Sequence, residues 1–277
     1  MTVCKALIER CPVDEQAELL ALLPLEERKS LEALPSATLP SKEGRGKDLL
    51  DRVHFSWMAP FLRTFGVQDL RLFLGALSKE QVEGLRLLLG FSMSLLELTA
   101  EAKNFTAHLL LTHLTRGEPL IPPQLIPTSA LKPLLDLDQE GLRRLMRYLG
   151  LYDLAFEMKQ IIATSEIKKI LSCLKKEEKA FLQSLKNQSE LLVFKRLFLQ
   201  SWDETRATLL SLLEERGLQR LAVALYNQEK SLIWIIAHTL ELPIATALLK
   251  LCKPPSEPRI SSLLIQQILN LYSQGIL

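Results

Sequence analysis

The stretch LGALSKEQVEGLRLLL, Leu74–Leu89, has leucines at both ends and a polar centre. Ser78 and Gln81 have the spacing of a capping box, in which each side chain satisfies a free amide at the start of a helix. The leucines on either side would lie on two helices joined by a tight turn, with their apolar faces turned toward each other. The stretch therefore predicts a helical hairpin.

The same frame, L-x2-L-x2-E-x4-L-x2-[LY], occurs four times. Its first leucine pair would end one helix, and its glutamate would lie in the first turn of the next, at the positive end of the helix dipole. Because leucine fills the core of any helical hairpin, leucine abundance explains the frame equally well. The copies lie at unequal distances, which disfavours a regular solenoid. The copies are Leu20-Leu23-Glu26-Leu31-Leu34, Leu74-Leu77-Glu80-Leu85-Leu88, Leu134-Leu137-Glu140-Leu145-Tyr148 and Leu171-Leu174-Glu177-Leu182-Leu185.

Composition indicates an all-α protein. The chain has 277 residues, of which 48% are hydrophobic and 24% charged, which suffices for one large domain or two modest ones. β-branched residues seldom alternate with polar residues, so the strand signal is weak. We predict irregular helical hairpins packed into one or two globular helical domains, with no regular solenoid.

Charge, cysteine content and hydropathy suit a cytoplasmic protein. The 34 basic and 32 acidic residues are interleaved, so no strong field attracts nucleic acid or anionic lipid. The four cysteines lack C-x-x-C spacing and suit a reducing cytosol. No window supplies the roughly 18 uninterrupted apolar residues of a membrane span, and the N-terminus carries charges where a signal peptide needs an apolar run.

Proline and glycine divide the chain into six parts. They are an N-terminal helical segment at 1–34, a linker at 35–48, a helical block at 49–117, a Pro-rich connection at 118–128, the main helical block at 129–252, and a linker with a C-terminal helix at 253–277. Within the first block the expected helices lie near 49–63, 67–77 and 79–116, the last interrupted near Gly90.

Cap residues predict several helix ends in the main block. Asp138 suits an N-cap, and Pro243 suits the first residue of a helix because its missing amide hydrogen would be unpaired there anyway. The residues expected at helix C-termini are Gly150, Gly217 and Asn227.

No constellation of residues predicts catalysis, a cofactor or a metal site. His108 and His113 are five residues apart, which places them on different faces of a helix and not on the shared face of two metal ligands. The phosphate-loop spacing and the G-x-S-x-G and H-E-x-x-H motifs are missing. We expect no catalytic residue, no cofactor and no metal. His238 is expected in or near the core with a local hydrogen bond.

Two basic groups could contact phosphate or an acidic protein, but glutamates lie among both, and we expect no nucleic-acid binding. The groups are Arg143, Arg144 and Arg147, and Lys168, Lys169, Lys175 and Lys176.

Two stretches favour protein partners. The last helix, RISSLLIQQILNLYSQGIL, has an uncharged polar face, which is unusual for a solvated helix. Its apolar stripe includes Leu264, Ile268 and Leu271, which either pack on the protein's own core or dock into another subunit. In HFSWMAPFL, Trp57 and Phe61 are expected on one helix face, as an aromatic anchor at an interface or as core residues.

Three segments together resemble the YscK-type K subunit of the bacterial type III secretion sorting platform. They are LGALSKEQVEGLRLLLGF, LIPTSALKPLLDLDQEGLRRLMRYLGL and RGLQRLAVALYNQEKSLIWIIAHTLELPIATALLKL. HFSWMAPFL also resembles the His-x-Ser motif that precedes the first main helices of that family, with Phe55 in place of the usual proline. The resemblance covers roughly 50–250.

The resemblance implies a non-enzymatic cytoplasmic adaptor for protein transport. It would link the inner-membrane ring of the secretion apparatus to the cytosolic pod by protein–protein docking, and would reach the membrane face only through these partners. The hairpins are distantly like those of flagellar switch proteins, but the E-H-P-Q-type helix start and the charged motor face are missing. The alternatives are a helical chaperone or regulator that docks through its terminal helix, and a ligand-binding domain or enzyme with a pocket near Trp234 and His238.

Overall fold

The computed structural model describes residues 5, 8–9, 11–34, 45–92, 94–186, 199, 202–255 and 257–277. Over these ranges the protein has fourteen α-helices and no β-strand, which confirms the predicted all-α class. None of the helices described is both long and apolar enough to cross a membrane.

The chain divides into two compact units. Unit 1 comprises Met1–Asp51 and Met58–Thr128, and unit 2 comprises Arg52–Trp57 and Ser129–Leu277. The change of unit after Thr128 falls at the end of the predicted Pro-rich connection. The short excursion of Arg52–Trp57 into unit 2 has no counterpart in the predicted boundaries, which placed these residues inside the block at 49–117.

Unit 1 contains seven of the α-helices described and a 3-10 helix. They are α1 (Val13–Ala21), α2 (Leu25–Glu32), α3 (Arg45–Leu50), α4 (Ala59–Leu62), α5 (Val67–Gly75), α6 (Lys79–Leu89) and α7 (Ala100–Thr115), with the 3-10 helix at Pro123–Leu125. Helix α7 packs against α3 and α5, and α4 packs against α6. Buried leucines from these helices, among them Leu50, Leu74, Leu85 and Leu110, form the core of the unit.

The predicted junction between α5 and α6 is confirmed in detail. The Gln81 amide donates to Ser78 Oγ at 3.3 Å, and the Ser78 amide donates to Gln81 Oε1 at 3.1 Å, which completes the capping box. The Gln81 side chain also donates to the Leu50 carbonyl at 2.7 Å, so it joins α6 to the end of α3. Gly90 ends α6 in the left-handed region, with φ of +68°, as expected for a C-terminal glycine.

The glutamate of each of the four frames lies in the first turn of a helix, as predicted. These residues are Glu26 in α2, Glu80 in α6, Glu140 in α8 and Glu177 in α10. In three frames the preceding element is an α-helix, whereas in the third it is the 3-10 helix Lys132–Asp136. The frame therefore marks helix junctions at irregular intervals.

Unit 2 contains the other seven α-helices described and two 3-10 helices. They are α8 (Gln139–Met158), α9 (Thr164–Cys173), α10 (Lys176–Lys186), α11 (Arg206–Leu225), α12 (Lys230–Thr239), α13 (Leu242–Leu251) and α14 (Pro258–Ser273), with 3-10 helices at Phe55–Trp57 and Lys132–Asp136. The two longest, α8 and α11, form the centre of the unit. Helices α10 and α14 pack on α8, and α9, α13 and α14 pack on α11.

Helices α8 and α11 cross through two glycines, and here the predicted helix ends are wrong. Gly150 and Gly217 lie inside α8 and α11 and not at their C-termini. A Cβ on Gly150 would lie 2.2 Å from the Leu213 carbonyl oxygen, and one on Gly217 would lie 1.7 Å from the Met146 carbonyl oxygen. The glycines are thus required by the close approach of two backbones.

Other predicted caps agree with the structure. Asp138 caps α8 by accepting the Gly141 amide at 2.7 Å. Asn227 has φ of +64° just after α11, as expected for a residue beyond a helix C-terminus. Pro243 is the second residue of α13 and not its first.

The predicted helix near 49–63 is wrong. Helix α3 ends at Leu50, the 3-10 helix Phe55–Trp57 follows, and α4 begins at Ala59. Pro60 lies in the first turn of α4 and has no amide hydrogen, so it suits the start of a helix and not its interior. Of the predicted linker, residues 35–44 lie outside the described residues, and Arg45–Asp48 form the start of α3.

Candidate functional site

The apolar stripe of the last helix is covered by the protein itself. Leu264, Ile268 and Leu271 are fully buried, because α14 packs on α8 and α11 and closes the core of unit 2. The expectation that these three side chains dock into another subunit is therefore wrong, and the alternative of core packing is confirmed.

The uncharged polar face of α14 has the same explanation. Gln267 accepts a hydrogen bond from Arg220 Nη1 at 2.8 Å, and Ser261 donates to the Val223 carbonyl at 3.1 Å. These contacts lie at the edge of the core, where an unpaired charge would be costly to bury. The composition that suggested an interface thus reflects polar contacts inside the unit.

The two aromatic residues of HFSWMAPFL were predicted to lie on one helix face, and this prediction is wrong. Trp57 ends a 3-10 helix of unit 2, whereas Phe61 lies in α4 of unit 1, because the chain starts a new helix around Pro60. The half-buried Phe61 ring stacks on His113, with ring centroids 3.7 Å apart. It also meets the edges of neighbouring phenylalanine rings in unit 1.

Residues Arg52–Trp57, which we call the clip segment, bind the corner between α12 and α13. The His54 amide donates to the His238 carbonyl at 2.8 Å, and Trp57 Nε1–H donates to the Leu240 carbonyl at 3.0 Å. The Leu242 amide donates to Ser56 Oγ at 2.9 Å. Side chain and backbone of the clip segment therefore both take part in the contact.

These hydrogen bonds cap two helices at once. The last carbonyls of α12 and the first amides of α13 have no partner within their own helices. Glu241 precedes α13 and makes no side-chain cap, and the Ser56 hydroxyl accepts the amide of Leu242, the first residue of α13. At the other helix the clip segment supplies N–H donors for the carbonyls of His238 and Leu240. A segment remote in sequence thus supplies the caps that the local sequence lacks.

The hydrogen-bond pattern determines the proton positions on His54. Ser56 Oγ accepts the Leu242 amide, so its own proton can point to His54 Nδ1, which lies 2.8 Å away. The Ser56 amide also donates to the same nitrogen at 3.2 Å. Nδ1 is therefore an acceptor, and the ring is neutral with its proton on Nε2. Burial lowers the pKa of His54, against a smaller opposing effect of the Glu241 carboxylate, which agrees with a neutral ring.

His238 lies between two indole rings. Its centroid is 3.9 Å from that of Trp57 and 3.7 Å from that of Trp234, and both pairs are nearly parallel. His238 Nδ1 donates to the Trp234 carbonyl at 2.8 Å, which confirms the predicted local hydrogen bond. The residue is 5% exposed. The stacked rings leave no space between them for a ligand, so the pocket expected at Trp234 and His238 is filled by Trp57.

Burial lowers the pKa of His238 to about 4, and the hydrogen bond to the Trp234 carbonyl opposes this shift. The unfolded ring titrates near 6.5, so between pH 6.5 and 4 the unfolded chain binds more protons than the folded chain, and stability falls as the pH falls. The shift corresponds to about 3 kcal/mol.

We therefore expect the free energy of unfolding to fall by about 3 kcal/mol between pH 7 and pH 4 because of His238. Urea unfolding of the wild type and of His238→Phe at several pH values in this range gives the slope of the free energy of unfolding against pH for each protein. His108→Gln, at an exposed histidine, is the matched control and should keep the wild-type slope. Equal slopes for the wild type and His238→Phe would contradict the expectation.

The basic groups singled out in the sequence are partly neutralised. Ion pairs join Arg143 to Glu241 at 2.9 Å, Arg147 to Glu214 at 3.4 Å and Lys169 to Glu204 at 2.6 Å. A cleft of unit 2 is lined by both signs of charge, three acidic and three basic side chains: Glu140, Glu177, Glu178, Arg144, Arg147 and Lys175. Among the residues described, no group of three or more histidine, cysteine or acidic side chains is placed to hold a metal ion.

Trp57, His238 and the His-x-Ser motif were each identified in the sequence, but no prediction brought them together or gave Ser56 a contact. The available signal was the His-x-Ser pattern, in which the serine lies two residues after a histidine that can accept its amide. The sequence does not identify the carbonyls of His238 and Leu240 as acceptors for the clip segment, because every residue has a carbonyl.

Comparisons of the chain with protein-family models, with curated proteins and with solved structures found no match.

Proposed function

We propose that the protein is a non-enzymatic adaptor of a type III secretion sorting platform, which links the inner-membrane ring to the cytosolic pod by protein–protein docking. It would act in the cytoplasm and reach the inner membrane only through these partners. It would need no cofactor, because its work is to hold two other proteins together.

The observation that carries the proposal is where the resembling segments lie. Of the four segments that resemble the K subunit, two lie largely in unit 2, namely the segment containing α8 and the segment that runs from α11 to α13, and HFSWMAPFL contributes His54–Trp57 to the same unit. The clip segment binds the corner of α12 and α13, and α8 crosses α11 through glycines. The proposal is supported because resembling residues that are distant in sequence belong to one compact unit and share a set of helix caps.

Helix α7 offers a docking surface of the kind an adaptor needs. Phe105 is 64% exposed and Leu109 is 43% exposed, and residues four apart lie on one face of a helix. The opposite face, with Ala107 and Leu110, is buried in unit 1. An exposed phenylalanine beside a leucine is a good anchor for a partner, since aromatic side chains carry much of the energy of protein interfaces.

The test is a pull-down of purified ring and pod subunits by the full chain. We expect the wild type to retain both, and Phe105→Asp to lose about thirtyfold in affinity for the subunit that binds α7, the loss typical of an interface hot spot. Ile162→Asp is the matched control, because Ile162 is a 97% exposed apolar residue of unit 2. If the wild type binds neither subunit, the adaptor proposal fails; if Phe105→Asp binds as the wild type does, α7 is not the docking surface.

Neither alternative function has an observation in its favour. A chaperone or regulator that docks through the terminal helix would lose its docking element, because α14 closes the core of unit 2. A ligand pocket at Trp234 and His238 would need the space that the Trp57 ring occupies.

A further inference from the structure

We propose that the corner between α12 and α13 is a peptide-binding site, which the chain fills with its own clip segment and which can take the same segment from a second copy of the chain. The proposal does not rest on the adaptor function. It rests on the contacts of Arg52–Trp57 in unit 2.

The clip segment is held as a bound peptide is held. Trp57 is the anchor, because its indole stacks on His238 and donates a hydrogen bond to the Leu240 carbonyl. Ser56 Oγ accepts the Leu242 amide and the His54 amide donates to the His238 carbonyl, two groups at helix ends. Arg52 donates to the Leu135 carbonyl and extends the contact to the 3-10 helix Lys132–Asp136. An aromatic anchor with flanking backbone hydrogen bonds is a common way to recognise peptides.

The covalent connections of the clip segment support the same view. The chain that precedes it, up to Asp51, and the chain that follows it, from Met58, both belong to unit 1. Trp57 is 183 residues from Leu240, and Ser56 is 186 residues from Leu242. The segment therefore joins the rest of unit 2 through non-covalent contacts, like a ligand that is tethered elsewhere.

The contacts define the ligand as a short peptide of the pattern H-x-S-W. A phenylalanine in place of Trp57 could stack but could not donate to Leu240, and an alanine in place of Ser56 would leave the Leu242 amide without its acceptor. The Phe55 ring contacts that of its neighbour His54 within the segment itself, at a centroid distance of 4.1 Å, so this position should tolerate other side chains. The recognised chemistry is thus an indole with its N–H and a hydroxyl one residue before it.

Tethering explains why the site holds the chain's own segment. A ligand on the same chain has an effective concentration in the millimolar range, which a free peptide at micromolar concentration cannot match. Binding from a second copy therefore becomes measurable when the resident segment is weakened. Trp57→Ala removes the anchor and leaves the receptor residues His238, Leu240 and Leu242 unchanged.

The first experiment measures binding of a labelled peptide, LDRVHFSWMAPFL (residues 50–62), to full-length Trp57→Ala by fluorescence anisotropy. We expect micromolar affinity for Trp57→Ala and at least tenfold weaker binding to the wild type, whose site is filled. The peptide that carries Trp57→Phe should bind about tenfold more weakly, because one hydrogen bond and part of the stack are lost. The peptide that carries Phe55→Ala should bind within a few-fold of the original and serves as the matched control.

Absence of binding to Trp57→Ala, in a protein that keeps its helical circular dichroism and unfolds cooperatively, would overturn the proposal. If Trp57→Ala does not fold, Ser56→Ala replaces it as the receptor, since it removes one cap and keeps the anchor. Ser56→Ala should then bind the peptide more tightly than the wild type does, and equal binding by the two would overturn the proposal.

The second experiment tests the second copy as occupant. Trp57→Ala has a free receptor, and Trp234→Ala has an intact clip segment with a damaged receptor. We expect the mixture to form a dimer with one copy of each variant, seen by native mass spectrometry at twice 31.4 kDa and formed by neither variant alone. Peptide binding without this mixed dimer would overturn the part of the proposal that names a second copy.

Discussion

Gly217→Ala is expected to lower the free energy of unfolding of unit 2 by about 3 kcal/mol or more. Alanine in place of a glycine inside a helix normally stabilises by about 1 kcal/mol, so the expected sign is the reverse of the usual one. The reason is that the new Cβ would lie 1.7 Å from the Met146 carbonyl oxygen. That atom belongs to the backbone of α8 and cannot turn away as the end of a side chain can, so the two central helices would have to separate.

Urea unfolding followed by circular dichroism measures this effect. Gly66→Ala is the matched control, because Gly66 has a negative φ and no atom within 4 Å of the position of a new Cβ. It should change stability by less than about 1 kcal/mol. Gly150→Ala should behave like Gly217→Ala, since its Cβ would meet the Leu213 carbonyl of α11. A stability of Gly217→Ala equal to that of the wild type would mean that α8 and α11 do not cross at this point.

The role of the two glycines could not be predicted from the sequence. A glycine inside a leucine-rich helical pattern is typical both of a helix end and of a close helix crossing. The local sequence favours neither, because the deciding atom lies on another helix, at Leu213 for Gly150 and at Met146 for Gly217. By contrast, the capping box was predictable, because its two members, Ser78 and Gln81, lie three residues apart.

The same distinction between local and remote partners explains which contacts of the candidate site could be predicted from the sequence. The hydrogen bond from His238 to the Trp234 carbonyl spans four residues and was predicted, whereas the bond from Trp57 to Leu240 spans 183 residues and was not. The stripe on α14 was correctly identified as apolar. Whether it faced a partner or the core depended on α8 and α11, whose surfaces are not visible in the sequence of α14.

The sequence of α11 contains a pattern that indicates the buried ion pair between Arg220 and Asp153. Arg220 lies in α11 on the same helix face as Leu213, Gly217 and Ala224, seven and three residues before it and four after it, and all of these are buried. A charged residue inside an apolar stripe indicates either an error in the helix assignment or a buried partner. Arg220 is 0% exposed and Asp153 on α8 is 2% exposed, so a buried partner is the explanation here.

Arg220→Met is expected to destabilise the protein by about 3 to 5 kcal/mol. Arg220 Nε donates to Asp153 Oδ2 at 3.0 Å and Nη2 donates to Oδ1, so the guanidinium meets both carboxylate oxygens. Its Nη1 donates to Gln267 of α14 at 2.8 Å, which joins three helices through one side chain. The Tyr152 ring lies 5.7 Å from the guanidinium carbon, and burial raises the pKa of its hydroxyl to about 12. Without the arginine, the Asp153 carboxylate would stay buried with no countercharge.

A double variant separates the cost of the unpaired carboxylate from the worth of the ion pair. Arg220→Met combined with Asp153→Leu removes both charges and keeps similar volume, so it should recover most of the stability lost in Arg220→Met, because apolar residues often replace a buried pair at little cost. Arg216→Met, four residues earlier on the same helix and half-buried, is the matched control and should cost less than about 1 kcal/mol. Urea unfolding of the wild type, Arg220→Met, Asp153→Leu and the double variant gives the coupling energy between the two positions. If the double variant is as unstable as Arg220→Met, the energy lies in packing and in the bond to Gln267, and the ion pair contributes little to the crossing of α8 and α11.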